Sequence, residues 1–122
     1  MLIPFQYEYA LEKGNDKIVV VLTRNPGYRK KRAVKATEQL YKRAYKKYPN
    51  LVRTIMTRNA VYNKQMKLIE KLEEEGKIFV IRPLIPTVSR MEKDYDKLQH
   101  FYMHGNRLMK KEYQGLLEYL NE

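Results

Sequence analysis

The side chains best suited to chemistry in this sequence are cationic, and they follow two apolar segments. The first segment, 17–23, is followed directly by Arg24, and the second, 77–82, ends in Arg82. Ligands of open α/β sheets bind beyond the carboxyl ends of the strands, and guanidinium groups bind phosphate or carboxylate through two parallel hydrogen bonds. The sequence therefore predicts an anion-binding edge, with candidate residues Arg24, Tyr28, Arg29, Lys30, Lys31, Arg32 and Arg82.

The same arginines also have a purely structural interpretation. Arg24 and Arg82 can cap strand carbonyls, or they can form ion pairs with Asp16 or Glu92. Both interpretations remain open from the sequence.

The positive charge is concentrated in one stretch. Residues 24–58 contain twelve Lys or Arg and a single acid, Glu38, so this stretch carries the whole net charge of +11. Such asymmetry indicates an anionic partner, which could be phosphate head groups, nucleic acid or an acidic protein face. The alternative is a solvated helix face that only maintains solubility.

Segment 41–48 alternates tyrosine with basic residues, as nucleic-acid-binding segments do. At helical spacing, however, Tyr41, Tyr45 and Tyr48 share one face, which we expect to pack. No helix-turn-helix, zinc-finger or RRM signature is present. Each Lys or Arg near an anionic bilayer contributes about 1 kcal/mol. An anionic lipid surface is therefore the favoured ligand for this patch, and nucleic acid is the alternative.

Sequence signatures of catalysis are missing. The chain has no G-x-S-x-G, no Walker A motif and no G-x-G-x-x-G. Its one serine, Ser89, precedes Glu92 by three residues, which fits a helix-capping box. His100 and His104 have the spacing of a metal-binding pair, but the glutamate of H-E-x-x-H is absent, and we interpret them as surface histidines. We therefore predict no catalytic residue, no metal site and no cofactor.

The absence of cysteine and the hydropathy of the chain indicate its cellular compartment. The chain has no cysteine, which excludes disulfides and suits a reducing compartment. No apolar run reaches the ~20 residues that span a bilayer. We expect a cytoplasmic protein, and a peripheral position at the membrane is compatible with the basic stretch.

Apolar periodicity and breakers predict six elements. A helix runs from Pro4 to Gly14, and helices cover 33–47 and 51–75, the latter capped by Asn50 and ended by Gly76. Strands cover 17–23 and 77–82, and the continuous β-branched run of the first is typical of an interior strand covered on both faces. A last helix follows Asp94, with a kink expected at Gly105. Its predicted core stripe is Met91, Tyr95, Leu98, Tyr102, Met109, Leu116 and Leu120.

The order helix-strand-helix-helix-strand-helix predicts a helix-rich α/β fold whose two strands are parallel, with a right-handed crossover. Two strands cannot form a sheet that is covered on both faces. The sequence therefore indicates an incomplete piece of a larger α/β sheet, and its abrupt apolar start at Leu2 points the same way. The open edges would pair either with another copy or with strands upstream.

Several segments together resemble a known family. They are Ile3-Pro4, Ala10–Gly14, Asp16–Arg24, Gly27–Lys30, Tyr48–Asn50, Ile81–Pro83 and Val88–Arg90. The combination resembles the C-terminal part of bacterial patatin-like phospholipases, which are serine lipid acyl hydrolases. The resemblance runs from Ile3 to the last helix, and Leu22-Thr-Arg24 with Gly27-Tyr-Arg-Lys30 is its most specific part.

The resemblance implies a non-catalytic segment, because the family's G-x-S-x-G serine and Asp-Gly-[Gly/Ala] aspartate lie upstream of the matched region. Residues 1–122 would form one domain, in which 1–32 end the α/β core and 33–122 form a helical extension with a strand at 77–82. The expected partner is the upstream catalytic part, or a second copy that pairs through strand edges. The alternative is a stand-alone basic module that binds anionic lipid or nucleic acid.

Overall fold

The computed structural model describes residues 7–122, and its elements follow the predicted order. The predicted helix start at Pro4 and the Ile3-Pro4 part of the family resemblance lie outside the described residues. Strand β1 pairs with β2 in parallel, so Val19 lies opposite Phe79 and Val21 opposite Ile81, which confirms the helix-rich α/β fold class. The handedness of the crossover stays a prediction. The elements are α1 (Tyr7–Glu12), β1 (Val19–Val21), α2 (Lys35–Ala44), α3 (Pro49–Glu74), β2 (Phe79–Ile81) and α4 (Tyr95–Asn121).

Helix α3 begins at Pro49 and not after Asn50, so the predicted Asn50 cap is wrong. Proline suits the first helical position because its missing N–H would have no intrahelical partner there. The predicted end is confirmed: Gly76 has a φ of 69°, a conformation that costs glycine little. Its N–H donates to the Glu73 carbonyl and the Lys77 N–H donates to the Leu72 carbonyl. These two bonds form a Schellman motif.

The core lies between α3 and one face of the two strands. Met66 and Ile69 of α3 are fully buried there, together with Tyr62. They contact the inward side chains of the strand segments, which are Ile18, Val20, Leu22 and Ile78. Ala10 of α1 packs at the margin of the same cluster. Most of the folding free energy comes from burial of such apolar side chains.

The opposite face of β1 is open. Val20 is 9% exposed, whereas its neighbours Val19 and Val21 are 38% and 70% exposed. Successive side chains of a strand point to opposite faces, so this alternation means that only one face of β1 is covered within residues 7–122. The prediction that β1 is covered on both faces is therefore wrong for the described part of the chain.

Helix α4 covers the β2 half of that second face. Asp94 caps it as predicted, since its carboxylate accepts hydrogen bonds from the N–H groups of Asp96 and Lys97. The helix runs through Gly105 without a break. Its buried residues are Leu108 and Tyr119, and neither belongs to the predicted stripe. That stripe is largely solvent-exposed instead, at Met91, Tyr95, Leu98, Tyr102 and Leu120.

Tyr119 joins α4 to the start of both strands. Its hydroxyl accepts a hydrogen bond from the Ile18 N–H at 3.1 Å and lies 3.0 Å from the Lys77 carbonyl, to which it can donate. Its ring contacts Phe79 at a centroid distance of 5.7 Å. The C-terminal end of α4 therefore closes the sheet at the amino ends of β1 and β2.

Tyr119→Phe is expected to lower the free energy of unfolding by about 1–3 kcal/mol, because it leaves the buried Ile18 N–H without its partner while keeping the ring. Urea unfolding followed by circular dichroism measures this. Tyr113→Phe, at an exposed position of the same helix, is the matched control and should change the unfolding midpoint little. Equal effects of the two substitutions would show that the Tyr119 hydroxyl is not a structural contact.

Candidate anion-binding site

The loops that leave the two strands meet at one edge, as the parallel arrangement predicts. The Asn25 side-chain amide donates to the carbonyls of Pro83, at 3.1 Å, and Ile85, at 2.6 Å. Arg24 lies within 3.4 Å of the Thr87 hydroxyl. Side-chain bonds from the first loop to the second thus hold the carboxyl ends of β1 and β2 together.

The basic segment after β1 lies along α3 and is held there by two asparagines. The Asn63 side chain accepts a hydrogen bond from the Lys30 N–H at 2.8 Å and donates to the Lys30 carbonyl at 2.9 Å. Asn59, one helical turn earlier, donates to the Lys31 carbonyl at 2.7 Å. The backbone of residues 30–31 is therefore fixed, and the side chains that follow Gly27 have defined positions.

Two of the candidate cations are already neutralised. Arg29 forms an ion pair with Glu70 at 2.6 Å, and Arg82 forms one with Glu73. Both acids belong to α3. Arg82 therefore forms an ion pair, as the structural interpretation proposed, but its partner is Glu73 and not Asp16 or Glu92. The pairing of Arg29 was not anticipated. A cleft next to Arg82 is also lined by Glu112. This side of the edge is therefore unfavourable for an anion.

Two other candidates lie over tyrosine rings. The Arg24 guanidinium is 5.0 Å from the centroid of Tyr28, and the Lys30 ammonium is 4.4 Å from that of Tyr62. The two rings contact each other edge to face at 6.2 Å. Burial, followed by the neighbouring Tyr28, raises the pKa of Tyr62, so its hydroxyl stays neutral at physiological pH. Cations over aromatic faces gain electrostatic attraction and a defined position.

Lys30 also has cationic neighbours. Its pKa lies below the ordinary value, first because of partial burial and then because of the nearby charges of Arg58 and Arg24. Arg58 precedes Tyr62 by one helical turn, which places it on the same side of α3 as the ring under Lys30. Within residues 7–122, no carboxylate lies within ion-pair distance of Arg24, Lys30 or Arg58.

The remaining two candidates, Lys31 and Arg32, are exposed. Arg32 and Lys30 line a cleft of about 370 Å³ between this segment and α3, whose apolar floor includes Met56 and Ala60. Glu38 of α2 lines the same cleft, and its carboxylate forms an ion pair with Lys42 at 2.7 Å. The structure thus brings Arg24 and Lys30 together with Arg58, a residue that the sequence argument did not single out. Its only sequence signal is its place at the end of the basic stretch.

Helix α2 carries much of the remaining positive charge, and none of its residues is buried. The expected packing of the tyrosine face is wrong, since Tyr48 and the neighbouring Leu40 are exposed. Tyr41 and Tyr45 stack on each other with centroids 6.1 Å apart. The short α2 contacts only α3 extensively, which leaves Lys35 and Arg43 exposed and Tyr41 half-buried.

Of the two histidines, His100 and His104, His104 has a structural role. The ε-nitrogen of His104 accepts a hydrogen bond from the Leu84 N–H at 3.1 Å, which holds the loop between β2 and α4. In residues 7–122 no group of three His, Cys, Asp or Glu side chains converges as a metal site would require. Ser89 does not cap a helix: its carbonyl accepts from the Glu92 N–H in a turn that precedes α4.

None of the described helices combines the length and hydropathy needed to cross a bilayer.

No curated protein and no solved structure matches the chain. One family does match, over residues 48–121, a range that begins at α3 and ends with α4. Because this match covers more than half of the 122 residues, the chain belongs to the family described as a domain of unknown function, DUF6363.

Proposed function

We propose that this chain is the non-catalytic C-terminal segment of a patatin-like lipid acyl hydrolase, in which it supplies scaffold and presents a basic surface to anionic lipid. The observation that carries the proposal is the half-covered parallel strand pair beside a cationic edge. The segment 16–30 carries both features and is also the most specific part of the family resemblance.

The scaffold role is supported by the open face and edge of β1. Within the described residues, β1 pairs on one side only, and Val19 and Val21 point away from the core into solvent. Parallel sheets in proteins are normally covered on both faces, and unpaired strand edges are normally protected. Further strands and a covering helix from the upstream part of such an enzyme would complete this sheet.

The lipid role is supported by the placement of the charge. Residues 24–58 carry +11, and no residue of the α2 part of this stretch is buried. Since Lys and Arg residues near an anionic bilayer contribute about 1 kcal/mol each, such a stretch can hold a protein peripherally at the membrane. A basic surface of this kind would bring the upstream catalytic part to its substrate.

The chain is expected to sediment with vesicles that contain phosphatidylglycerol and to remain in solution with vesicles of phosphatidylcholine alone. Added salt should release it, because exposed charges are screened. The triple variant Arg43→Gln, Lys46→Gln, Lys47→Gln should bind much more weakly. The control variant Lys97→Gln, Lys110→Gln, Lys111→Gln on α4 loses the same charge and should bind nearly as the parent does.

Equal binding to both vesicle types, or equal loss in the two triple variants, would contradict the basic-surface role. Fatty-acid release from the vesicles provides a second readout. Because the chain contains neither G-x-S-x-G nor Asp-Gly-[Gly/Ala], none is expected.

The exposed tyrosines of the basic stretch favour one second candidate, binding of single-stranded nucleic acid. Bases stack on aromatic rings between cations, at about 1–3 kcal/mol per base. Tyr48→Leu distinguishes the two ligands. It should weaken oligonucleotide binding measured by fluorescence anisotropy if the tyrosine stacks on a base, and it should leave vesicle binding unchanged.

A further inference from the structure

Apart from the exposed Lys31 and Arg32, the cations near the edge beyond β1 fall into two groups. Arg29 and Arg82 are neutralised by Glu70 and Glu73 in the C-terminal third of α3. The other group consists of Arg24, Lys30 and Arg58, and no carboxylate of residues 7–122 lies within ion-pair distance of it. Glu38 lines the same cleft as Lys30, but its carboxylate pairs with Lys42 at 2.7 Å. The unneutralised group is thus a defined local cluster of positive charge.

Two members of this cluster, Lys30 and Arg24, are held in place before any ligand arrives. Lys30 is bonded to Asn63 at both its N–H and its carbonyl, and its ammonium lies 4.4 Å from the Tyr62 ring centroid. Arg24 is positioned by Tyr28 and by the Thr87 hydroxyl. Binding to a preorganised site costs less conformational entropy than binding to free surface side chains.

The cluster also contains unfavourable repulsion. Lys30 has a lowered pKa, to which Arg58 and Arg24 both contribute after burial. Like charges in proximity oppose one another, and an anion between them replaces repulsion by attraction. A group with two negative charges gains more from three cations than a group with one.

We propose that Arg24, Lys30 and Arg58 form a binding site for a phosphomonoester group at the carboxyl edge of β1. A phosphomonoester carries about −1.5 to −2 charge at neutral pH and offers three acceptor oxygens. A carboxylate or a phosphodiester carries only one negative charge. The site deepens the proposed function, on which it rests, by giving the basic surface one defined contact with a lipid head group. A free phosphate compound shares this chemistry.

The first test is a titration of the 122-residue chain with inorganic phosphate, followed by amide NMR shifts of residues 24–32 and 58–63. Lys30→Gln and Arg58→Gln should each weaken binding about tenfold, because each removes a charged hydrogen bond. Lys46→Gln and Lys47→Gln remove the same charge from the same basic stretch and should have little effect. Bound phosphate should also raise the pKa of Lys30 towards its ordinary value.

Arg58 is exposed, so its substitution does not threaten folding, and circular dichroism verifies this for all four variants. If the Lys46 and Lys47 variants lose as much phosphate affinity as the Lys30 and Arg58 variants, binding is diffuse and the site is overturned. In that case vesicle binding by the parent chain would still support the proposed basic surface.

The second test separates the sources of the phosphate. Vesicles with phosphatidic acid, a monoester, are compared with phosphatidylglycerol vesicles, a diester, at matched surface charge. Stronger binding to phosphatidic acid that disappears in Lys30→Gln supports a lipid head group as the ligand. Site-specific binding of inorganic phosphate without any vesicle binding would support a free phosphate compound and overturn the lipid role alone. Absence of phosphate binding, with no preference for phosphatidic acid, would overturn the site.

Discussion

Val20→Asp is expected to unfold the chain, whereas Val21→Asp at the adjacent position is expected to leave it folded. Val20 lies in the core against α3, and Val21 is 70% exposed on the open face of β1. A carboxylate without a partner in the core costs several kcal/mol, a large part of the roughly 5–15 kcal/mol that stabilises a domain. At Val21 the cost is limited to the lower strand propensity of Asp, at most about 1 kcal/mol.

Far-UV circular dichroism and urea unfolding of both variants measure this difference. The chemical change is the same at both positions. The two variants differ only in whether the substituted side chain faces α3 or the open side of β1. If Val21→Asp unfolded the chain and Val20→Asp did not, the strand would present its opposite face to the core. Similar mild effects at both positions would mean that β1 contributes little to folding.

Ile69→Ala is expected to lower the free energy of unfolding by about 2–5 kcal/mol, since it creates a cavity at a fully buried position. Leu68→Ala, the preceding residue of α3, is the matched control. Leu68 is 38% exposed, and its truncation should cost only about 0.5 kcal/mol, as is usual at surface positions. Denaturant unfolding monitored by circular dichroism compares the two.

A loss at Leu68 as large as that at Ile69 would show that another surface covers the outer side of α3 in solution. The size-exclusion elution volume of the parent chain provides an independent check, because a covered outer side would require self-association.

The order of the elements and the pairing of the strands could be predicted from the sequence, because apolar runs and helix breakers determine both. The covered face of β1 could not. Residues 19–21 are all valine, so the strand has no alternation of polar and apolar residues that would reveal its outer side. Only the position of α3 decides that Val20 is buried and Val21 is not.

Helix α4 shows the opposite difficulty, since it has two apolar stripes. The predicted stripe through Leu98 and Tyr102 is the longer one, but the sheet is covered by a stripe that includes Leu108 and Tyr119. The buried stripe also contains Gly115, which lies against the Phe79 ring: a Cβ there would be 3.7 Å from the ring, an ordinary packing distance. A small residue adds nothing to an apolar pattern, so close packing of this kind is difficult to predict.

The location of the candidate site could be predicted from the sequence, but the residues that form it could not. Strand ends indicate where loop cations such as Arg24 and Lys30 converge. Which cations are neutralised depends on how α3 crosses the loop: Glu70 and Glu73 pair with Arg29 and Arg82. The sequence signal that was missed is the pair Asn59 and Asn63. Asparagine is unfavourable in helix interiors, so two asparagines one turn apart in a long helix indicate a structural role, which here is to bind the backbone of Lys30 and Lys31.

The pairing of β1 with β2 has a consequence for how the chain reaches its fold. Val19 and Phe79 are partners although 60 residues separate them, and both α2 and α3 lie between them. During synthesis β1 therefore leaves the ribosome well before its partner exists, as an apolar segment with an unpaired edge. Contacts of such high sequence separation slow folding and prolong the exposure of aggregation-prone strands. We expect α3, whose contacts are local, to form early, and β1 to complete its pairing only after β2 has been synthesised.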